Sequence, residues 1–518
     1  MKLKEFFKLQ NGSDIRGVAV PSENSIATLL PEIVFAVTSA FVTFLSWKLK
    51  KPTKHLSIAV GHDSRISAAA LKKAALAAVS SQKSFPLDAE LASTPAMFMA
   101  TKFDAINADG GIMLTASHLP ADRNGIKFFT KDGGLEKEDI KEILKLAAYD
   151  DSDPNFSDME RTLTFEKYGN SKKTIEDFDV DSVSKIPLME IYTRSLREKI
   201  ISEIEDYEPL KGLHIVVDAG NGAGGFFAKK VLSPLGADIS GSVFLDPDGN
   251  FPNHIPNPEN EEAIVSIQNA VKTSDADLGI IFDTDVDRMS AVLKGGKTVN
   301  RNALIAMMSA IVAKDYPESV IVTDSVTSDE LSDFLKKIGL KHLRYKRGYK
   351  NVINKCKELN ENGEISPLAI ETSGHGALSE NYFLDDGAYL AVKLIIAAAR
   401  ERHFKRELAD LIKDLKYPKE EREIRIKINA EDFKTYGDNI IKTLFEDVKE
   451  AGLSVDDMCY EGIRVKFEYG FFLLRMSLHD PLLVLNIESR KEGGVGEIFD
   501  KVKQLLNKFD KLDEVKLT

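Results

Sequence analysis

Short apolar runs alternate with helical patterns along most of this chain, and five of the runs break off into clusters of charged and hydroxyl residues. Leu56–Val60 reads as a strand followed by an alanine-rich helix near Ala68–Ser80. Ile112–Leu114 is another strand, and Leu213–Asp218 leads through a glycine-rich turn, Gly220–Gly225, into a helix. Ser319–Thr323 precedes a helix opened by Ser328, a residue of capping character. Such alternation predicts α/β units with parallel or mixed sheets, which carry ligands beyond the carboxyl ends of their strands. The C-terminal stretch differs: Ile424–Ile428, Gly462–Phe467, Phe471–Met476 and Leu482–Ile487 predict a small α+β domain.

A chain of 518 residues is too long for one core. Boundaries are expected near Ile186-Pro187, Gly295-Gly296 and Pro418, giving domains 1–187, 188–298, 299–415 and 416–518. The polar stretch 150–173 reads as a surface insertion. Ile33–Trp47 carries no charge but is about five residues short of a bilayer crossing, and it reads as a buried helix on a sheet opened at Pro31. A net charge of −12 argues against nucleic acid and gives no pull toward anionic membranes. Two cysteines, Cys356 and Cys459, exclude a disulfide framework and fit a reducing, cytoplasmic setting.

The segment Leu278-Gly279-Ile280-Ile281-Phe282-Asp283-Thr284-Asp285-Val286-Asp287-Arg288 is the most telling. A buried strand delivers three carboxylates at alternate positions, and their mutual repulsion calls for a counter-ion. A hard divalent cation such as Mg²⁺ answers that need, although a solvated acidic turn has the same composition. An EF-hand is excluded, since Arg288 and Lys294 stand where its glycine and glutamate belong. Thr115-Ala116-Ser117-His118-Leu119-Pro120 places a serine at a strand end, a candidate nucleophile or phosphate carrier. The glycine-flanked elbow of serine hydrolases is absent. Gly61-His62-Asp63-Ser64-Arg65 offers a buried aspartate and a free arginine. Glu371-Thr372-Ser373-Gly374-His375 suits a polyol, and Arg475 with Ser477 suits phosphate. The Gly220–Gly225 turn lacks the lysine of a nucleotide P-loop, so it is read as a tight strand-to-helix turn, with no reason to assign NAD or ATP.

Taken in order, these clusters resemble the α-D-phosphohexomutase superfamily, over nearly the whole chain from Ser13-Asp14-Ile15-Arg16-Gly17 to the Arg475 loop. The resemblance implies three similar α/β domains with mixed sheets plus a C-terminal α+β domain around a central cleft. It implies that Ser117 is the phosphorylated residue, with Lys127 in the following Asn124-Gly125-Ile126-Lys127 segment as an active-site lysine. Asp283, Asp285 and Asp287 match Mg²⁺ ligands, a phosphate oxygen on Ser117 completing the shell, and Arg288 is the adjoining arginine. Glu371, Ser373 and His375 match the sugar-recognition loop, and Arg475 and Ser477 the phosphate-binding loop. Arg65, His118 and Lys127 remain open candidates for proton transfer. Ala116, Leu119, Thr284 and Leu478-His479-Asp480 depart from the family pattern.

The implied activity interconverts hexose 1-phosphate and hexose 6-phosphate, of mannose or glucose, through phosphoserine and a hexose 1,6-bisphosphate. A phosphoglucosamine mutase is the alternative. A small phosphosugar is the expected partner, with neither nucleic acid nor membrane, and the chain is expected as a monomer or homodimer. Two other readings compete. A haloacid-dehalogenase-like phosphatase with Asp283 as nucleophile leaves Ser117, Glu371 and Arg475 without roles. A non-catalytic sugar-phosphate binding protein would use the same groups without transferring phosphate.

Overall fold

The computed structural model describes residues 3–148 and 175–513, apart from Asn24, Asp457, Leu478 and His479. The expected surface insertion at 150–173 and the Leu478-His479 departure lie outside the described residues. Two compact units divide the chain, Met1–Thr298 with Asp386–Arg400, and Val299–Asp385 with Glu401–Thr518.

The first unit carries two mixed sheets. In the larger, Ser57–His62 lies parallel to both Phe85–Leu91 and Gly110–Leu114, and Arg123–Thr130 returns antiparallel to Gly110–Leu114. In the smaller, Ile215–Asp218 lies parallel to Leu278–Phe282, and Met289–Leu293 returns antiparallel. The second unit opens with the same pattern: Val320–Asp324 parallel to Leu368–Ile370, and Gly376–Leu378 returning antiparallel. Its other sheet is wholly antiparallel, in the order Glu420–Lys427, Leu482–Ser489, Gly470–Met476, Ile463–Phe467, Ser454–Val455. Three mixed α/β sheets and a C-terminal antiparallel sheet with helices are thus the architecture that the alternation predicts.

The repetition is closer than the sequence shows. In each mixed sheet the first parallel strand ends at or next to a fully buried aspartate: Asp63, Asp218 or Asp324. The neighbouring strand then turns back through a polar loop, 115–122, 283–288 or 371–375. These three loops are the three central clusters of the sequence. Fully apolar strands with both faces covered explain why each reads as a continuous hydrophobic run.

Pro31–Leu49 is one helix, long and apolar enough by length and composition to cross a membrane. Val34, Val37, Phe41 and Leu45 are wholly buried in the first domain's core, and the Phe41 ring stacks on Phe128 at 4.4 Å. Pro31 occupies the first turn, where its missing N–H costs nothing, and Lys50 closes the helix in a left-handed conformation.

One expected element differs. The chain after the glycine-rich turn is a short 3₁₀ turn, a π-helical turn at Phe227–Leu232 and a second 3₁₀ turn at Ser233–Leu235, and no α-helix forms there. Gly225 lies so close to the Leu245 carbonyl that a Cβ would sit 1.9 Å from its oxygen, which pins the start, and Pro234 ends the run.

Candidate active site

The loop after Gly110–Leu114 folds around its own backbone. Thr115 Oγ1 accepts the Ser117 N–H at 2.9 Å, and Ser117 takes a left-handed φ of 49°. That conformation is uncommon outside glycine and turns the side chain out of the loop. The Ser117 hydroxyl donates to Asp283 Oδ2 at 2.9 Å, joining residues 166 apart in sequence. The first two clusters are therefore one site.

Asp283, Asp285 and Asp287 sit in a six-residue hairpin loop, with ligand oxygens all within 4.8 Å of one another. Val286 holds φ of 68°, a costly conformation for a β-branched residue, and its carbonyl accepts the Gly387 N–H at 3.1 Å. Two neighbours brace the loop. Thr94, at the start of a short helix capped by Ser93, donates its N–H to the Asp285 carbonyl at 2.8 Å and its hydroxyl to Asp285 Oδ2 at 2.5 Å. Ala223 of the glycine-rich turn donates to the Thr284 carbonyl at 2.7 Å. That turn is thus a support for the acidic loop. A Cβ on Gly222 would lie 2.6 Å from the Thr284 oxygen, so Gly222→Ala must displace this backbone. Chelator titrations should show Gly222→Ala holding its divalent ion at least about tenfold more weakly than wild type.

Burial, then Asp287 and Asp285, push Asp283 well above the usual carboxylate range, and burial with Asp287 pushes Asp285 up to about 6. Asp285 Oδ1 is buried and accepts no hydrogen bond. Three close carboxylates, one with an orphaned oxygen, form a donor set that fits a hard divalent cation. Arg288 pairs with Asp283 through Nε at 3.5 Å, approaches Glu259 at 3.6 Å, and donates to His118 Nδ1. Burial opposes its charge, but Asp283 and Asp287 overcome that and raise its pKa. Lys127 lies 3.1 Å from Asp14 and 3.5 Å from Asp287.

Arg65 departs from expectation. It is not free: Nε meets Asp63 at 3.2 Å, and its two terminal nitrogens donate to the carbonyls of Ser117, Leu119, Pro120 and Arg123. With no exposed side-chain surface, it serves as the brace of the serine loop. Arg16 assists by donating to the Thr115 carbonyl.

In the second unit, Glu371 accepts the Gly348 N–H at 2.6 Å and the Ser373 hydroxyl at 3.3 Å. His375 Nδ1 meets Asp385 at 2.5 Å and its ring stacks on Tyr349 at 5.0 Å. Asp324 accepts both the Thr372 N–H and hydroxyl, anchoring this loop to the preceding strand. Arg475 is buried at the end of Gly470–Met476 and donates to the Met476 carbonyl at 3.3 Å. Burial lowers its pKa, Glu461 opposes this, and Arg347 lowers it further. Ser477 follows, its hydroxyl accepting the Asp480 N–H at 3.3 Å. The sequence reading missed Arg347, Tyr349, Asp324 and Asp385 here and Thr94 in the first unit, and it quoted Asp14 and Arg16 within the segment Ser13-Asp14-Ile15-Arg16-Gly17 without giving them a role. Of these, only Ser93-Thr94-Pro95 carried a local signal, that of a helix start.

Burial, then Asp324, push the Glu371 carboxyl up to about 7. Unfolded, it ionises near about 4.3, so the folded chain retains a proton that the unfolded chain loses. Stability from this group therefore falls as pH rises from about 4.5 to 7, by on the order of 3 kcal/mol. Urea unfolding of Glu371→Gln should gain on wild type across that interval, and parallel pH profiles would refute it.

The family descriptions for phosphoglucomutase/phosphomannomutase alpha/beta/alpha domains I, II and III match residues 8–153, 190–296 and 300–417. The chain belongs to the phosphoglucomutase/phosphomannomutase family. A phosphomannomutase/phosphoglucomutase of Pseudomonas syringae pv. tomato is 28% identical over 446 residues, 85% of each chain. A phosphoglucomutase/phosphomannomutase of Thermococcus kodakarensis is 27% identical over 488 residues, covering 94% of this chain and 95% of its own. A solved family protein from Burkholderia thailandensis superposes with a TM-score of 0.75 at 25% identity, covering 98% of both chains. Family members transfer phosphate within a sugar, and the chain is therefore an enzyme of that class.

Proposed function

We propose that this chain interconverts hexose 1-phosphate and hexose 6-phosphate, of mannose or glucose, with Ser117 carrying the phosphoryl group. The observation that carries the reading is the Ser117 hydroxyl set on Asp283 in the acidic loop. Phosphorylated Ser117 gives its phosphoryl group to the free hydroxyl of the sugar phosphate. The Ser117 oxygen leaves and takes up a proton, while the sugar hydroxyl loses its proton to His118 or to the neutral amine of Lys127. The hexose 1,6-bisphosphate so formed turns over and returns its other phosphate to Ser117. Asp283, Asp285 and Asp287 would hold Mg²⁺, which supplies charge neutralisation at the transferred group. Arg288 adds positive charge beside it, and so does Lys127 when His118 takes the proton. Glu371, Ser373 and His375 bind ring hydroxyls, and Arg475 and Ser477 hold the phosphate already on the sugar.

Arg65 is committed to five acceptors, which supports a positioning role for it and leaves Lys127 and His118 for the proton. A dehalogenase-like phosphatase would place its nucleophilic aspartate after the first strand of its sheet, whereas Asp283 follows a later one. Two free thiols, Cys356 buried and Cys459 half-buried, support a reducing, cytoplasmic setting.

Arg475→Ala should cut kcat/KM for hexose 1-phosphate by roughly 30- to 150-fold, the equivalent of about 2–3 kcal/mol. Arg475→Lys should restore only part, because a point charge does not reproduce the guanidinium fork. A coupled assay of both variants checks this, and a loss within twofold would remove Arg475 from phosphate binding. The same assay run on mannose, glucose and glucosamine 1-phosphates assigns the sugar.

A further inference from the structure

A cavity of about 210 Å³ lies in the second unit, walled by the strand Lys341–Tyr345 on one side and by Asp456, Met458, Tyr460, Arg464 and Lys466 on the other. It is larger than the ~150 Å³ cavity that accepts benzene. Arg344, Arg464 and Lys466 line it, and none of the groups assigned to the sugar phosphate does.

The two arginines are held rigidly and incompletely satisfied. Arg344 donates Nε to Thr327 and Nη2 to the Ser328 carbonyl and Asp329, and its Nη1 has no hydrogen-bond partner among the described residues. Arg464 is 2% exposed, lies over the Phe471 ring at 3.4 Å, donates Nη1 to the Ser325 carbonyl and Nη2 to the Thr327 carbonyl, both at 3.3 Å, and shares Asp329 through Nη2 at 3.0 Å. Its Nε is buried without a hydrogen-bond partner, 3.9 Å from Asp456. Asp456 is taken by Lys466 at 3.2 Å. Among the described residues, three cations thus face two carboxylates. Burial and Arg464 lower Arg344 to about 10, and burial with the same two arginines holds His342 neutral. Glu488, the next carboxyl group toward Arg344, is pushed up to about 8 by burial and contributes little compensating charge near neutrality. A buried guanidinium nitrogen left unpaired is destabilising, and a bound oxyanion would relieve that. Leu343 and Tyr460, whose ring packs on Tyr345 at 4.9 Å, give the cavity an apolar wall.

We propose that this cavity is a second anion site that takes a small dianion, a phosphate monoester or a dicarboxylate, with its charged head on Arg344, Arg464 and Lys466 and its carbon body on Leu343 and Tyr460. Its ligand bridges the sheet that carries Glu371 and the sheet that carries Arg475. Ser325, on the cavity wall, donates to Glu461 at 2.6 Å, and the Arg347 N–H donates to the same carboxylate at 3.1 Å.

Calorimetric titration of the full chain with methyl phosphate, and separately with malonate, tests this. At least one probe should bind, the one that does identifying the chemical class, and Lys466→Glu should weaken it by at least about tenfold. Lys466 is half exposed and outside the catalytic groups, so this variant should fold and keep its kcat and KM. Lys466→Arg should retain the binding, and so should Arg475→Ala. Failure of both probes to bind at millimolar concentration overturns the site, as does equal affinity in Lys466→Glu. Loss of binding in Arg475→Ala would instead place the anion in the sugar-phosphate loop and equally refute the proposal.

Discussion

Ser117→Ala will lower mutase turnover by at least about 100-fold while the chain stays folded, because removing a covalent carrier removes a step of the reaction. Ser117 is 4% exposed and its hydroxyl makes one strong contact, to Asp283, so its loss leaves no cavity of consequence. The loop keeps its shape through Arg65, which holds backbone carbonyls and not the serine side chain. Unchanged circular dichroism and thermal midpoint together with the lost rate are the expected result. A variant retaining a tenth of wild-type activity would contradict the role given to this serine.

Asp285→Asn will abolish metal-dependent activity and at the same time stabilise the metal-free chain. Three buried carboxylates repel one another, and Asp285 is held up near 6 by burial and Asp287. An amide removes one of those charges and can still accept the Thr94 hydroxyl. It also removes a ligand charge that a divalent ion requires. Thermal unfolding with and without Mg²⁺ separates the two effects: the variant should melt above wild type in chelator and gain far less on adding the ion. Full activity of wild type after exhaustive chelation would count against the metal assignment, and so would an equal Mg²⁺ shift in Asp285→Asn.

The parts of this protein that act through neighbouring residues were legible in its sequence. Strand Leu278–Phe282 and its three aspartates, the Thr115–Pro120 loop and the Ser328 cap stand where the apolar runs and hydroxyl residues put them. Strand ends shifted by one to a few residues, as with Ser57–His62 in place of 56–60, because pairing continues past the apolar core. The C-terminal strands were equally readable from their alternating pattern.

What the sequence hid depends on contacts across long separations. Thr94 reaches Asp285 across 191 residues, and nothing in an ordinary helix cap announces that. Arg65 looked free because its partners are backbone carbonyls more than fifty residues away, and carbonyls have no sequence signature. The threefold recurrence of strand, buried aspartate and returning hairpin was invisible for the same reason. Asp63 binds an arginine, Asp218 accepts from His254 and Ser266, and Asp324 accepts from Thr372, so one structural position carries three different local motifs. The close approach of Gly225 to Leu245 just before the π-helical turn at Phe227–Leu232 is likewise non-local.

The claim on which the rest depends is that phosphate resides on Ser117. Incubation of the purified chain with Mg²⁺ and glucose 1,6-bisphosphate, followed by tryptic digestion and mass spectrometry, reads this directly. The peptide Phe103–Arg123 contains Ser117 and should gain one phosphate that is stable to mild base and absent from Ser117→Ala. A chain that turns over hexose phosphate with that peptide unmodified, or with the phosphate on Asp283 as a base-labile acyl phosphate, would contradict the account.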